Sequence, residues 1–71
     1  MTPTAVHRIM AGQDGIVTLT QALAAGMSRT AVDRRVSTGE WRRLHRGVYL
    51  RADRQHTNAV RLRAAVFAAG P

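Results

Sequence analysis

Arginine supplies most of the side-chain chemistry available to this sequence. The chain has 71 residues, with eleven basic residues that are all arginine, four acidic residues and a formal net charge of +7. A guanidinium group can donate two parallel hydrogen bonds to a phosphate or to guanine, which a lysine cannot do. This charge balance favours a polyanionic partner, and the alternative is a basic surface that only keeps the chain in solution. Clustering favours the first interpretation, since two neighbouring segments carry Arg29, Arg34 and Arg35, and Arg42, Arg43, Arg46 and Arg51.

Other reactive side chains are few and scattered. His7, His45 and His56 lack the paired helical spacing and the neighbouring carboxylates of a metal site. The sequence has no cysteine, and the segment 12–15 lacks the lysine that a phosphate-binding loop needs. It also contains no nucleophile elbow. We therefore predict a protein that is not an enzyme and that has no metal and no cofactor.

Two short helices are predicted to position the first group of arginines. Thr18 and Gln21 have the spacing of a capping box, which predicts a helix that begins at Leu19. Gly26 is the residue type that most easily takes the left-handed conformation at a helix end. Ser28 can then cap a second helix. Two helices joined by such a tight glycine-containing turn predict a helix-turn-helix.

The second helix is predicted to lie in the major groove of DNA. Val32 and Val36 mark its buried stripe, and Met27 and Val32 have the positions of a hydrophobic staple. Its opposite face carries Thr30, Asp33, Arg34 and Ser37. Arg29, at the first helical position, can reach a phosphate beside the free amides of the helix N-terminus. The DNA contacts predicted from this helix are Ser28, Arg29, Thr30, Arg34 and Ser37.

The segment after Gly39 is predicted to form a β-hairpin. Residues 41–44 and 48–51 are strand-like, and a three-residue loop that ends in glycine, 45–47, suits a hairpin turn. The DNA contacts predicted from this hairpin are Arg42, Arg43 and Arg46. With the helices, the hairpin predicts a mainly α fold with a small β-hairpin, a winged helix-turn-helix. Residues 16–17 are either a third strand of this sheet or an extended linker.

The apolar residues of the hairpin do not define one buried face. One parity is occupied by Leu44, Val48 and Leu50, and the other by Trp41 and Tyr49. A bulge or a sheet twist could reconcile the two sets. The two aromatic residues are expected to be core anchors, and the alternative is that they stack on bases.

Helices are also predicted at both ends of the chain. Thr2 or Thr4 can cap the first, with Pro3 in its opening turn. Its apolar stripe consists of Val6, Ile9 and Met10. This helix is expected to pack behind the reading helix, and the alternative is an arm that contacts DNA through His7 and Arg8.

The last predicted helix runs from about His56 to Ala69, with Thr57 as its cap and Gly70-Pro71 as its stop. Its apolar residues point in two directions: Val60, Ala64 and Phe67 lie on one side, and Leu62 and Val66 on another. Such a helix is expected to be covered on more than one side, by a following domain or a second copy, unless its small side chains stay partly exposed. We therefore predict a winged-helix domain over 1–54 and, over 55–71, a helix that packs on it or leads to a second domain.

The run from Gly15 to Leu50 resembles the N-terminal winged-helix domain of AbiEi-family antitoxins. The resemblance is carried by the segments QALAAG, SRTAVDRRV and GEWRRLHRGVY, and most specifically by Arg46-Gly47-Val48-Tyr49. It implies a DNA-binding repressor that autoregulates a type IV toxin–antitoxin operon. It also implies a toxin partner, bound through a separate C-terminal domain that we expect these 71 residues not to include. A related domain precedes nuclease-like folds, so a DNA-targeting module of a nuclease-like fusion is an alternative function.

The expected partner is double-stranded DNA. One winged-helix module buries only about 600 to 1,000 Å², so we expect two copies on an inverted repeat. A different alternative is a protein-interaction module that uses the C-terminal helix. No apolar run approaches the roughly 20 residues of a membrane span, and no signal peptide is visible. We therefore expect a cytoplasmic protein with no membrane contact.

Overall fold

The computed structural model describes residues 4–69, and within them it contains four helices and one small sheet. The elements are α1 Thr4–Ala11, β1 Ile16–Thr18, α2 Leu19–Ala24, α3 Arg29–Ser37, β2 Trp41–His45, β3 Val48–Arg51 and α4 Asn58–Ala69. The predicted fold class, mainly α with a small hairpin in winged helix-turn-helix order, is confirmed. The predicted cap at Thr2 or Thr4, the role of Pro3 and the stop at Gly70-Pro71 lie outside the described residues and side chains.

Both helices of the helix-turn-helix begin at the residues that the sequence predicted. The side chain of Thr18 accepts a hydrogen bond from the Gln21 amide at 3.1 Å, and the Thr18 amide donates to the Gln21 side chain at 3.0 Å. This reciprocal pair is the predicted capping box. Gly26 has a φ of +103°, and the Ser28 side chain accepts from the Ala31 amide at 3.0 Å. Local hydrogen bonds therefore fix where α2 begins and where α3 follows it.

Residues 16–18 form a third strand, so the linker alternative is wrong. The sheet is antiparallel with the order β1-β3-β2, and Val17 of β1 pairs with Tyr49 of the central strand. The strand brings the start of α2 next to the hairpin turn, where the Leu19 amide donates to the Gly47 carbonyl at 2.8 Å. The helix-turn-helix and the hairpin are thus joined through one sheet.

The hairpin turn is shorter than predicted, because β2 continues through His45. The register passes from Arg43 opposite Tyr49 to His45 opposite Val48, so one extra residue of β2 forms a bulge at Leu44. The connection is therefore the two-residue turn 46–47, and the predicted three-residue loop is wrong. Gly47, with a φ of +72°, takes the left-handed conformation at the second position of this turn, which glycine adopts without steric cost.

Both faces of the sheet are buried, which explains the two parities of the hairpin. Trp41 and Tyr49 lie on the face covered by α1, α2 and α3, whereas Leu50 lies on the face covered by α4. The exposed fractions of Trp41 and Tyr49 are 2% and 7%, and their ring centroids are 5.9 Å apart. The two aromatic residues are core anchors, so the base-stacking alternative is wrong.

Helix α4 covers the second face of the sheet with one side only. Val60 and Ala64 are buried and Phe67 packs against the same cluster. Leu62 and Val66 point outward, with 71% and 69% of their surface exposed. Within residues 4–69, the large apolar residues on the outer side of α4 are therefore exposed to solvent.

Candidate nucleic-acid interface

The outer face of α3 carries the side chains predicted to meet bases. Val32 is fully buried and Val36 packs against the same core, which turns the opposite side of the helix outward. Thr30, Arg34 and Ser37 are all exposed on that side. Ser28 and Arg29, at the N-terminus of α3, are exposed as well. The fold therefore presents all five predicted residues of this segment to solvent.

The two serines differ in the hydrogen bonds that they still have available. Ser28 uses an oxygen lone pair as the cap of α3, so its hydroxyl proton is free to be donated. Ser37 donates its hydroxyl to the carbonyl of Arg34 at 3.1 Å and keeps only acceptor capacity. Ser28 is thus suited to a phosphate oxygen, whereas Ser37 is suited to an amino group on a base.

A groove of about 830 Å³ separates α3 from the hairpin. Three of the predicted arginines, Arg29, Arg43 and Arg46, line it together with Asp33. The start of α2 forms another wall, and its residues are not among the contacts predicted from the sequence. A signal for it was available, because the first helix of a helix-turn-helix crosses the DNA backbone.

Arg42 and Arg43 lie on opposite faces of the sheet, although both are exposed. Directly paired residues in antiparallel strands share a face, and successive residues alternate. Arg43 pairs with Tyr49, so it lies on the side of α3, whereas Arg42 pairs with Leu50 and lies on the side of α4. The structure thus brings Arg43 to the groove and does not bring Arg42 there.

Ion pairs involve arginines outside the predicted interface. The pairs found among residues 4–69 are Arg35 with Glu40, Arg51 with Asp53 at 2.9 Å, and Arg63 with Asp14 at 3.5 Å. Arg35 is only partly exposed, and its charge is already paired with Glu40. Within these residues, the predicted arginine contacts have no carboxylate within ion-pair distance, so their charge is available to a ligand.

A pair of glutamine side chains supports the helix-turn-helix from behind. Gln13 donates to Gln21 at 3.0 Å, and Gln21 donates back to Gln13 at 2.9 Å. Gln13 also donates to the carbonyl of Ile16 at 3.0 Å. These bonds join the turn after α1 to the capping box of α2, so Gln13 helps to position the wall of the groove. No spacing rule predicts a pair eight residues apart in different elements.

The described residues offer little for other kinds of site. Residues 4–69 contain no group of three or more histidine, aspartate or glutamate side chains placed to hold a metal ion. None of the helices in the same range combines the length and the apolarity that crossing a membrane requires.

The order helix, strand, helix, helix and hairpin, with a basic face on the third helix, defines a winged helix-turn-helix protein. The sequence model of the family described as "Transcriptional regulator, AbiEi antitoxin" matches residues 6–52, about two thirds of the chain. The chain belongs to this family. It is a family of transcriptional regulators and not of enzymes, and a transcriptional regulator implies DNA binding. Searches of curated proteins and of solved structures gave no significant match.

Proposed function

We propose that this chain is the sequence-reading DNA-binding domain of an antitoxin-like repressor that autoregulates its own operon. The observation that carries the proposal is the groove beside α3, where Arg29, Arg43 and Arg46 converge without ion pairs among the described residues. Membership of a transcriptional regulator family supports it.

In this proposal, α3 lies in the major groove and the arginines of the neighbouring groove hold the backbone. Arg34 projects from the middle of the exposed face and can donate two hydrogen bonds to N7 and O6 of a guanine. Thr30 and Ser37 flank it and contact adjacent base edges. Arg29, Arg43 and Arg46 bind phosphates on the strand that passes between α3 and the hairpin, and the free hydroxyl of Ser28 adds a neutral donor.

Two copies on an inverted repeat complete the proposed operator complex. Helix α3 is only nine residues long, and its exposed face reads a single half-site. Two half-sites about one helical turn apart, roughly 10 base pairs centre to centre, provide the additional contacts that tight binding requires. The toxin partner of the family is assigned in this proposal to a separate domain.

The experiment is a titration of the chain against its own upstream promoter and against a scrambled duplex, at about 50 and 200 mM salt. We expect a preference for the promoter that persists at the higher concentration. Arg34→Glu should abolish that preference, whereas the matched control Arg61→Glu, on α4, should retain it. Equal and steeply salt-dependent binding to both duplexes would reduce the role to non-specific binding, and no binding to either would refute the proposal.

A second candidate function, protein contact through the outer face of α4, is supported by the exposure of Leu62 and Val66. The exposed Leu62 lies outside the groove that contains Arg46, whereas Val66 also lines that groove. Charge reversal at Arg34 should therefore abolish DNA binding and leave a protein contact at Leu62 intact. The remaining alternative, a module that targets a nuclease-like domain to DNA, uses the same interface and differs in what the domain is fused to.

A further inference from the structure

Asp33 is an acidic side chain on a surface that is otherwise basic. The other three carboxylates of the chain each lie within ion-pair distance of an arginine. Asp33 has no such partner among residues 4–69, although it is exposed on α3 and lines the same groove as Arg29 and Arg43. It is thus a free carboxylate at the position where the proposed function brings a polyanion.

The hydrogen bonds and ion pairs found among residues 4–69 do not involve the Asp33 carboxylate. The N-terminal amide of α3 is already capped by Ser28, and the first turn of the helix contains no acidic residue. Asp33 is the fifth residue of α3, beyond the turn in which the helix dipole stabilises an acid. Aspartate is also a weaker helix former than alanine. The carboxylate is therefore available for a contact outside the chain.

The major groove of DNA offers a specific donor to a carboxylate. Ionised aspartate is acceptor-only, and cytosine presents its N4 amino group in the major groove as a donor. Phosphates repel the same carboxylate, so a free aspartate weakens binding to sites that do not supply that donor. Asp33 therefore has the chemistry both to select one base and to penalise the others.

We propose that Asp33 is a specificity-determining residue that accepts a hydrogen bond from the N4 amino group of a cytosine in the operator. The inference rests on the proposed DNA-binding function. Asp33 and Arg34 are adjacent and point about 100° apart around the helix, so they reach different bases. With Arg34 on a guanine, the pair reads two neighbouring G·C base pairs.

The experiment is selection of binding sites from a randomised double-stranded DNA library by the wild-type chain, Asp33→Asn and Asp33→Ala. The wild type should enrich a cytosine at one position, by about 5- to 150-fold over other bases, the range of a single mismatch. Asp33→Asn should shift that position toward adenine, because an amide pairs with N6 and N7 of adenine. Asp33→Ala should lose the preference there and keep it elsewhere.

The matched control is Asp53→Asn, which changes the net charge by the same amount. Asp53 is exposed and lies beyond the end of β3 that is remote from the hairpin turn. It should keep the cytosine preference. Both Asp33 variants should bind a scrambled duplex about threefold more tightly, as expected when a carboxylate roughly 6 Å from a phosphate is removed in water.

Two results would overturn the inference, and they are distinguishable. If the wild type selects a site and both Asp33 variants select the same bases, Asp33 does not determine specificity. If the wild type selects no sequence, the proposed function fails and the inference fails with it. Circular dichroism melting of each variant confirms that the compared proteins are folded.

Discussion

Replacing Arg43 with alanine should weaken DNA binding and reduce its dependence on salt, whereas the same change at Arg42 should do neither. The two arginines are neighbours on β2 and are both exposed. Their strand partners place Arg43 on the side of α3 and Arg42 on the side of α4. Each variant removes the same charge, so comparing them tests which face of the hairpin contacts DNA.

The size of the effect follows from the number of phosphates that the groove neutralises. Three contacts per copy, from Arg29, Arg43 and Arg46, predict a slope of log affinity against log salt of about −2.7. Between about 50 and 200 mM salt, the wild-type affinity should then fall roughly 40-fold. Without Arg43 the slope should be about −1.8 and the fall roughly 12-fold.

The assay is fluorescence anisotropy of one labelled operator half-site at several salt concentrations between about 50 and 200 mM, with wild type, Arg42→Ala and Arg43→Ala. Urea denaturation of the three proteins should give the same free energy of unfolding, since both side chains are exposed. An equal reduction of the salt slope in both variants would refute the assignment of Arg43 to the DNA-binding face and of Arg42 to the opposite face. A loss confined to Arg42→Ala would place the DNA on the side of α4.

Three further predictions concern stability and are checked by urea or thermal denaturation. Gly15→Ala should destabilise the fold more than Gly26→Ala. Both glycines have positive φ, +88° and +103°, but only at Gly15 would the added methyl group meet a side-chain carbon, at 2.6 Å. Similar effects of the two changes would contradict this packing. Ser28→Ala should lower the free energy of unfolding by about 1 kcal/mol through loss of the helix cap, and no change would contradict the capping bond. The double change Leu62→Gln and Val66→Gln should alter it by less than about 0.5 kcal/mol, because both side chains are exposed; a larger loss, with a melting temperature that depends on concentration, would show that a second copy covers them.

The helix boundaries could be predicted from the sequence because the interactions that set them are local. The capping box of α2 and the cap of α3 each involve residues three positions apart. Gly26 and Gly39 follow the helices with positive φ, as glycine near a helix end commonly does. A short window of sequence contains all of this information.

The hairpin register could not be predicted, because it depends on a bulge and on two buried faces. The alternation of apolar residues is normally used to choose one inward face. Here Tyr49 and Leu50 are both buried, on opposite sides, so alternation identifies no solvent face. The bulge at Leu44 then shortens the turn by one residue. Only the packing of α4 on the second face resolves the ambiguity.

The candidate site was predictable as a set of side chains, but not as an arrangement. Arginine clustering pointed to α3 and the hairpin, and the arginines predicted to contact DNA in both segments are exposed. Which hairpin arginine shares a groove with Arg29 depends on strand register, which separates Arg42 from Arg43. The sequence also could not show that Asp33 lacks an ion-pair partner among residues 4–69, because partners can be distant in sequence. Asp14, for example, is paired with Arg63, 49 positions away.

The C-terminal part of α4 borders the groove beside α3, although most of this helix lies on the other side of the sheet. Leu62 lies away from the groove beside α3, whereas Val66 lines that groove and also belongs to the outer face of α4. Phe67 lines the groove next to it and packs against the second core cluster. A protein that covered Leu62 alone would leave the arginines that we propose to bind phosphate accessible. A protein that covered Val66 would border Arg46 and the hairpin turn, so contact at this end of α4 would compete with the DNA backbone for the same groove.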